Sequence, residues 1–139
     1  MDGFDTKELL ALEQEFLEMT SKYPNKAKTF LRKQGSQLRK KVVANARQKT
    51  RKKTGRYIRG FKRGKPYKLD DVDTIRVYNN SPHAHLIEKG HIIKGRDGSE
   101  HGFKKGTHVL EETAKDFTDD FVDAAGDFLD EILKGGGLY

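Results

Sequence analysis

The most informative stretch of this chain is HAHLIEKGH, at residues 83–91. A strand signal precedes it, because Thr74 to Tyr78 alternates and is rich in β-branched and aromatic residues. Asn79 to Pro82 are turn formers and end that strand. The stretch itself predicts a short helix or turn over residues 83–89, which stops at Gly90. A sheet therefore gives way to a helical turn in the middle of the chain.

Two helices are predicted before this stretch. Apolar residues at helical spacing over residues 5–21 place an N-terminal helix within residues 1–23. Pro24 suits a first helical position, so a long basic helix is predicted over residues 24–50. About 26 residues at 1.5 Å each give roughly 40 Å, more than the diameter of a small domain. Such a helix must project from the subunit or be covered by neighbouring subunits.

A C-terminal helix is predicted over residues 107–134, with Thr107 as its cap and a loose tail at residues 135–139. Acidic residues in its first turns suit the helix dipole. Its apolar positions step by three and four and predict a strongly amphipathic helix. These positions are Leu110, Ala114, Phe117, Phe121, Ala124, Phe128 and Ile132.

Residues 51–106 lack helical periodicity and predict short strands and flexible loops. We expect strands near residues 56–61, 91–94 and 103–105, and mobile loops up to residue 69 and over residues 95–102. The predicted fold class is α+β, in which long N-terminal helices and a C-terminal amphipathic helix pack on a small antiparallel β-sheet. At 139 residues the chain is expected to form one domain, residues 1–139.

The composition narrows the protein class. With 34% hydrophobic and 35% charged residues, the subunit has few core-forming residues and is expected to rely on partner subunits. The absence of cysteine excludes a disulfide scaffold and a Cys-ligated metal. No run of about 18 apolar residues is present, and the acidic N-terminus does not resemble a secretory signal. We expect a soluble protein, made in a cytoplasm, that makes no membrane contact.

The charge is distributed unevenly along the chain. Residues 26–68 hold 18 Lys and Arg and no acidic residue, whereas residues 111–131 hold nine Asp and Glu against one Lys. The acidic ends could fold back on the basic middle, within or between subunits, or the basic surface could face a polyanion. The candidate contacts for a polyanion or a protein partner are Arg32, Lys33, Arg39, Lys40, Arg47, Arg51, Lys52, Arg59, Lys62, Arg63 and Lys65.

The histidines suggest a metal site that the sequence does not complete. His83 and His85 would share one face of a strand, and Glu88 and His91 follow them. The spacing matches no zinc signature, and no acidic cluster accompanies it. The glycines before Lys65 do not form a phosphate loop, because their spacing is one residue short and no Ser or Thr follows the lysine. We therefore expect no cofactor, no metal and no enzymatic activity.

Three segments in order resemble a family of tailed-phage and prophage neck proteins, known as head–tail joining, tail-completion or minor tail-component proteins. The segments are Thr54-Gly55, residues 83–90 and residues 103–110, and the resemblance spans about residues 25–133. It implies a structural assembly protein in which Gly90 supplies a turn with positive φ and Glu88 caps backbone amides or pairs with a basic residue. The positions that carry the family motif are Thr54, Gly55, His85, Glu88, Gly90, Gly106 and His108.

The resemblance also implies a place in the virion. Subunits would form a homo-oligomeric ring, hexameric because the tail tube of such phages is six-fold, that helps to join the DNA-filled head to the tail. Its partners would be other phage neck, connector and tail-tube proteins, with transient contact to packaged DNA. Two alternatives remain open: a non-specific nucleic-acid-binding module that uses residues 26–68, and a metal-dependent nuclease built on the histidines.

Overall fold

A long basic helix dominates the first half of the protein. The computed structural model describes residues 17, 18, 20–50 and 55–135. Helix α1 spans Pro24–Lys49 and begins with proline, which lacks only an amide that would have no partner there. Residues 17, 18 and 20–22 are also helical, but residues 1–16 and 19 of the predicted N-terminal helix lie outside the described residues.

Short strands and helices separate α1 from a second long helix. The strands form three two-stranded sheets, all antiparallel, in which β1 pairs with β4, β2 with β3 and β5 with β6. The mixture of long helices and small antiparallel sheets confirms the predicted fold class. The elements are α2 (Arg56–Arg59), β1 (Phe61–Arg63), β2 (Tyr67–Leu69), β3 (Val72–Thr74), β4 (Val77–Asn79), α3 (Ala84–Lys89), β5 (Gly90–Lys94), β6 (Glu100–Lys105) and α4 (Val109–Gly135).

Helices α1 and α4 pack antiparallel along their length. At one end Phe30 stacks on Phe128, with ring centroids 4.6 Å apart. Further along, Lys41 Nζ lies 2.6 Å from the Asp120 carboxylate, and at the other end Lys49 pairs with Glu112. The acidic C-terminal helix thus folds back on the basic helix within one chain, which is one of the arrangements that the charge pattern left open.

The core lies where α1 meets the α2–β1 segment and the start of α4. Phe61, Val42 and Val109 are fully buried there and pack with Ala46 and Ile58. A second cluster joins Phe30 and Leu31 of α1 to Ala125 of α4. Gly35 allows the strands to approach α1, because a Cβ at that position would lie 3.0 Å from both Arg63 Cγ and Ile75 Cδ1.

Two predicted strands are wrong in their extent. The predicted strand at residues 56–61 is a helical turn followed by β1, because the Gly60 amide donates to carbonyls of the preceding turn and Ile58 enters the core. The predicted strand at residues 74–78 is divided between β3 and β4. Ile75, between them, packs against the second core cluster, where the chain passes from its pairing with β2 to its pairing with β1.

The predicted loops contain more regular structure than expected. The segment up to residue 69 includes β1 and β2. Asp70 and Asp71 follow with φ of 50° and 64°, and two successive positive φ values are typical of a type I′ hairpin turn. In the loop expected at residues 95–102, β6 already starts at Glu100. The Gly95 amide donates to the Ser99 carbonyl and closes the shorter turn that remains.

Helix α4 is amphipathic, but its buried side changes along its length. Thr113 and Phe117 are buried in its first half and Val122, Ala125 and Leu129 in its second half. The first half packs on the end of α1, where the Asn45 side chain donates to the Thr113 hydroxyl, and the second half packs on its start, where Ala125 joins Phe30 and Leu31. Of the predicted apolar stripe, Phe117 and Ile132 are buried, Leu110, Phe121, Ala124 and Phe128 are half-buried, and Ala114 is exposed.

No helix within the described part of the chain is long and apolar enough to span a membrane.

Candidate functional site at the α3–α4 junction

Glu88, at the end of α3, caps the first turn of α4. Its two carboxylate oxygens accept hydrogen bonds from the Leu110 amide at 3.0 Å and the Glu111 amide at 3.2 Å. The first amides of a helix have no partner within the helix, and a negative charge there is stabilised by the helix dipole. Two roles were expected for Glu88, a cap on backbone amides or a pair with a basic residue, and the structure shows the amide contacts. The predicted cap Thr107 is wrong, because its hydroxyl donates to the Ile87 carbonyl instead.

Backbone contacts join the same two helices. The amides of Thr107 and His108 donate to the carbonyls of Ile87 and Glu88, at 2.8 Å and 3.0 Å. A direct bond between the main chains of the two segments requires that they lie close together. The end of α3 and the entry to α4 therefore form one unit, which we call the α3–α4 junction and define as residues 87–90 and 106–111.

Two glycines make this close approach possible. Gly90 has a φ of 91°, which confirms the turn predicted for it, and a Cβ there would lie 2.5 Å from the Lys104 carbonyl oxygen. A Cβ on Gly106 would lie 2.5 Å from the Lys89 carbonyl carbon and 2.6 Å from the Gly90 nitrogen, and would also clash with the Glu88 carbonyl oxygen. Each glycine faces the other segment's backbone, which cannot move aside as a flexible side chain could.

His108 turns the chain into α4. It has a positive φ of 51°, a conformation that histidine tolerates better than most residues. Its Nδ1 lies 3.4 Å from the Glu111 carboxylate. With Glu88 these residues bring three potential metal ligands within 4.8 Å of one another. Because both oxygens of Glu88 already accept amide hydrogens, the arrangement functions as a helix cap.

The turn at Gly55 reaches the same junction. Gly55 has a φ of 75° and starts α2, which carries Tyr57. The pKa of the Tyr57 phenol is raised, mainly by burial. The negative charge of Glu88 adds to this increase, and a hydrogen bond with the Thr107 side chain opposes it. The Tyr57 phenol thus lies beside Thr107 in the third motif segment and within the electrostatic reach of Glu88. Thr54 lies outside the described residues.

The three histidines of residues 83–91 do not assemble around Glu88. His83 and His85 are exposed at and near the start of α3, whereas the Nδ1 atom of His91 is buried without a hydrogen-bond partner. Among the residues that the structure describes, Glu88, His108 and Glu111 form the one group with the geometry of a metal site. Glu88 faces α4, so the metal hypothesis for the four residues has no geometric support.

Sequence reasoning missed the structural roles of Asn79, expected only as a turn former, and of Arg39, expected only as a surface contact. The Asn79 side chain donates to the Tyr57 carbonyl at 2.7 Å and accepts from the Ser81 amide at 2.8 Å. Arg39 Nε donates to the Phe61 carbonyl at 2.8 Å and links α1 to β1. Neither residue belongs to a motif or to a periodic pattern. The turn-forming residues 79–82 indicate a turn at Asn79 but not the hydrogen bonds of its side chain.

A family model described as "Bacteriophage HK97-gp10, putative tail-component" matches residues 11–90 of the chain. The match covers more than half of the sequence. The chain belongs to this family of phage tail components. The predicted family resemblance is thereby confirmed, and two of its three segments, Thr54-Gly55 and residues 83–90, lie within the matched range. A search of the curated proteins and of the solved structures gave no match.

The matched range ends within the α3–α4 junction of this tail-component protein. It includes α1, the Gly55 turn, Glu88 and Gly90, but not Gly106, His108 or α4. Glu88 acts on amides that lie beyond the match. The side chain at the end of the family segment therefore holds the helix that follows it.

The eleven predicted basic contact residues fall into three groups. Arg39 donates to Phe61, and Arg63 packs against Gly35, so both have roles within the fold. Arg51 and Lys52 lie outside the described residues. The others are exposed and lie on α1, on α2, on β1 and just after β1: Arg32, Lys33, Lys40, Arg47, Arg59, Lys62 and Lys65.

Proposed function

We propose that this phage tail-component protein is a structural virion protein that joins the head to the tail or completes the tail. It acts as a single domain, residues 1–139, in a homo-oligomeric ring, hexameric to match a six-fold tail tube. It assembles in the host cytoplasm and then resides in the virion neck or tail. Its partners are other neck, connector and tail-tube proteins, and its work requires no catalysis and no cofactor.

The observation that carries this proposal is the use of the motif residues. Glu88, Gly90 and Gly106 are committed to backbone contacts between α3, β5 and α4. A residue whose polar atoms are already occupied by main-chain partners is poorly placed to act on a substrate. Such residues instead fix the relative position of two helices. A fixed framework is what a protein needs if it works by presenting surfaces to neighbours.

The surface of the subunit supports assembly with other copies. Closed rings arise when one patch of a subunit contacts a different patch of the next. The exposed residues of α1 are strongly basic, whereas α4 carries nine acidic residues against two lysines. A subunit with such unlike surfaces has the asymmetry that head-to-tail contacts require.

Electron microscopy of particles made without this protein tests the proposal. In the phage or prophage that encodes it, deletion of the gene should leave DNA-filled heads and separate tails, and the wild-type gene supplied in trans should restore joined particles. Mass spectrometry should detect the protein in purified virions. Normal tailed particles in its absence, or its absence from virions, would refute the proposal.

The alternative, a non-specific nucleic-acid-binding module, is favoured by the exposed arginines and lysines of α1. Neutralised phosphates release counterions, so binding by the isolated subunit should weaken steeply as salt rises. Substitution of Arg32, Lys33 and Lys40 by glutamine should then flatten the slope of log K against log salt. Tight binding with such a slope, together with normal particles in the deletion strain, would favour this alternative over the assembly role.

A further inference from the structure

Exposed apolar side chains are concentrated on two hairpins. Within the described residues seven large apolar side chains are exposed, and six of them lie on the β2–β3 and β5–β6 hairpins. The largest exposed fractions are 62% for Phe103 and 55% for Leu69. The Phe103 ring touches the α3–α4 junction at its Cζ atom, 2.8 Å from where a Cβ on Gly90 would lie, but most of its surface stays exposed. None of the six belongs to the buried core, and exposed apolar patches mark interaction sites.

The β2–β3 hairpin has one apolar face and one charged face. Leu69 pairs directly with Val72, and Tyr67 lies two residues before Leu69. Directly opposite residues, and residues two apart, share a face of an antiparallel sheet. Tyr67, Leu69 and Val72 therefore lie on the same face. Lys68 and Asp73, on the other face, form an ion pair at 3.0 Å.

The β5–β6 hairpin has a matching arrangement. Ile92 pairs directly with Phe103 across the two strands, so both side chains lie on one face. Their exposed fractions are 49% and 62%. The pair His91 and Lys104 lies on the opposite face. Each hairpin thus presents a small apolar face that the described part of its own subunit leaves largely uncovered.

A partner would stabilise both faces for physical reasons. A single two-stranded hairpin is marginally stable in water, and sheets gain stability when a second layer covers an apolar face.

The charges of the two hairpins are opposite. Residues 67–74 carry one Lys and three Asp, a net charge of −2, whereas residues 90–105 carry four Lys and Arg against two acidic residues, a net charge of +2.

We propose that the Ile92–Phe103 face of one subunit packs on the Tyr67–Leu69–Val72 face of a second copy of the chain. Two copies of the same hairpin would bring like charges together, whereas the two different hairpins attract each other. The contact joins two different patches, so it propagates from subunit to subunit and can close a ring. This inference rests on the proposed function, for which it supplies the subunit interface.

Cross-linking tests the pairing directly, because the chain has no cysteine. We would mix Leu69→Cys protein with Phe103→Cys protein and add a bis-maleimide that spans about 10 Å, the distance between packed sheets. The mixture should form cross-linked dimers, and either variant alone should form few. Ser36→Cys, exposed on α1, is the control for random collision. Yields no higher than this control, or stronger cross-linking within one variant alone, would overturn the pairing.

Sedimentation of single variants provides an independent measurement. Phe103→Ser and Leu69→Ser should each weaken self-association about tenfold, since truncation of an interface anchor typically has an effect of this size. The matched control is Leu17→Ser, because Leu17 is the seventh exposed apolar residue and lies outside both hairpins. Melting temperatures of all three variants should stay close to that of the wild type. Equal association of Phe103→Ser and the wild type would contradict the proposal.

The two proposals fail in different ways. If particles require the protein but purified virions of the paired cysteine variants show no subunit cross-links, the interface is wrong and the assembly function stands. Cross-links from these positions to a different neck protein would also overturn the interface. If cross-links form but particles assemble normally without the protein, the interface stands and the assembly function fails.

Discussion

The α3–α4 junction and the two hairpins differ in how their surfaces are satisfied. In the junction, both oxygens of Glu88 accept amides, and the two glycines lie against backbone atoms. In the hairpins, Leu69 and Phe103 remain more than half exposed. The comparison teaches that Glu88, Gly90 and Gly106 stabilise the fold through backbone contacts. Leu69 and Phe103 instead leave most of their surface open to a partner, although Phe103 begins the motif segment 103–110.

The largest difference in stability should appear when a buried aromatic ring and an exposed one are each removed. Phe61 is fully buried in the first core cluster, so Phe61→Ala should lower the free energy of unfolding by about 3–5 kcal/mol. Phe103→Ala should change it by less than about 0.5 kcal/mol, as for most surface substitutions. Urea unfolding followed by circular dichroism measures both. Similar losses in the two variants would show that the β5–β6 hairpin belongs to the core.

A methyl group at Gly106 should have the next largest effect. Gly106→Ala places a Cβ against the backbone of residues 88–90, and we expect a loss of about 3 kcal/mol because the backbone must shift. The matched control is Gly126→Ala, since no atom lies within 4 Å of a Cβ at that position of α4. This change should stabilise the helix by up to about 1 kcal/mol. Thermal melts that shift in the same direction for both variants would contradict the close approach.

Removal of the Glu88 carboxylate should have an intermediate effect. Glu88→Ala leaves the Leu110 and Glu111 amides without their acceptor, so we expect a loss of about 1–2 kcal/mol, as for other helix caps. Glu131→Ala, the same change near the far end of α4, should have almost no effect. Glu88→Gln should retain part of the stability, because the amide oxygen can still accept one hydrogen bond. An unchanged melting temperature for Glu88→Ala would refute the cap.

Loss of the exposed ion pair between Lys49 and Glu112 should have the smallest effect on stability. The Lys49 hydrogen bond and charge lower the pKa of the Glu112 carboxyl. The stabilisation is therefore present above the unfolded pKa of about 4.3 and is lost as the pH falls through the lower folded value. Melts from pH 7 to pH 3 should show this small loss in wild type but not in Glu112→Gln, and 1 M salt should reduce it. A larger stabilisation at pH 3 than at pH 7 would have the wrong sign.

The sequence predicts the long elements and the junction better than the middle of the chain. The bounds expected for the basic helix, residues 24–50, agree closely with Pro24–Lys49, because proline and helical periodicity are local signals. The roles of Glu88 and Gly90 followed from the family resemblance. In contrast, β1 to β4 have three residues each, which is too short for alternation to identify them.

Other features could not be predicted because they depend on tertiary contacts. Asn79 bonds to a carbonyl 22 residues away, and so does Arg39. The rotation of the buried side of α4 depends on which part of α1 lies beside each turn. The exposed pair of Ile92 and Phe103 emerges only when the register of β5 and β6 is known. Each of these features is set by distant partners rather than by local sequence.

The central claim is that the α3–α4 junction is stable in the free subunit, whereas the two hairpins become stable only when a partner covers them. Hydrogen exchange of single amides tests this claim most directly. In the free subunit, the amides of Thr107, His108 and Leu110 should exchange near the rate of global unfolding, whereas the β2–β3 and β5–β6 amides should exchange much faster. In the assembled oligomer the hairpin amides should become protected, with little change at the junction. Hairpins that are equally protected in both states, or junction amides that exchange as fast as an open loop, would contradict the account.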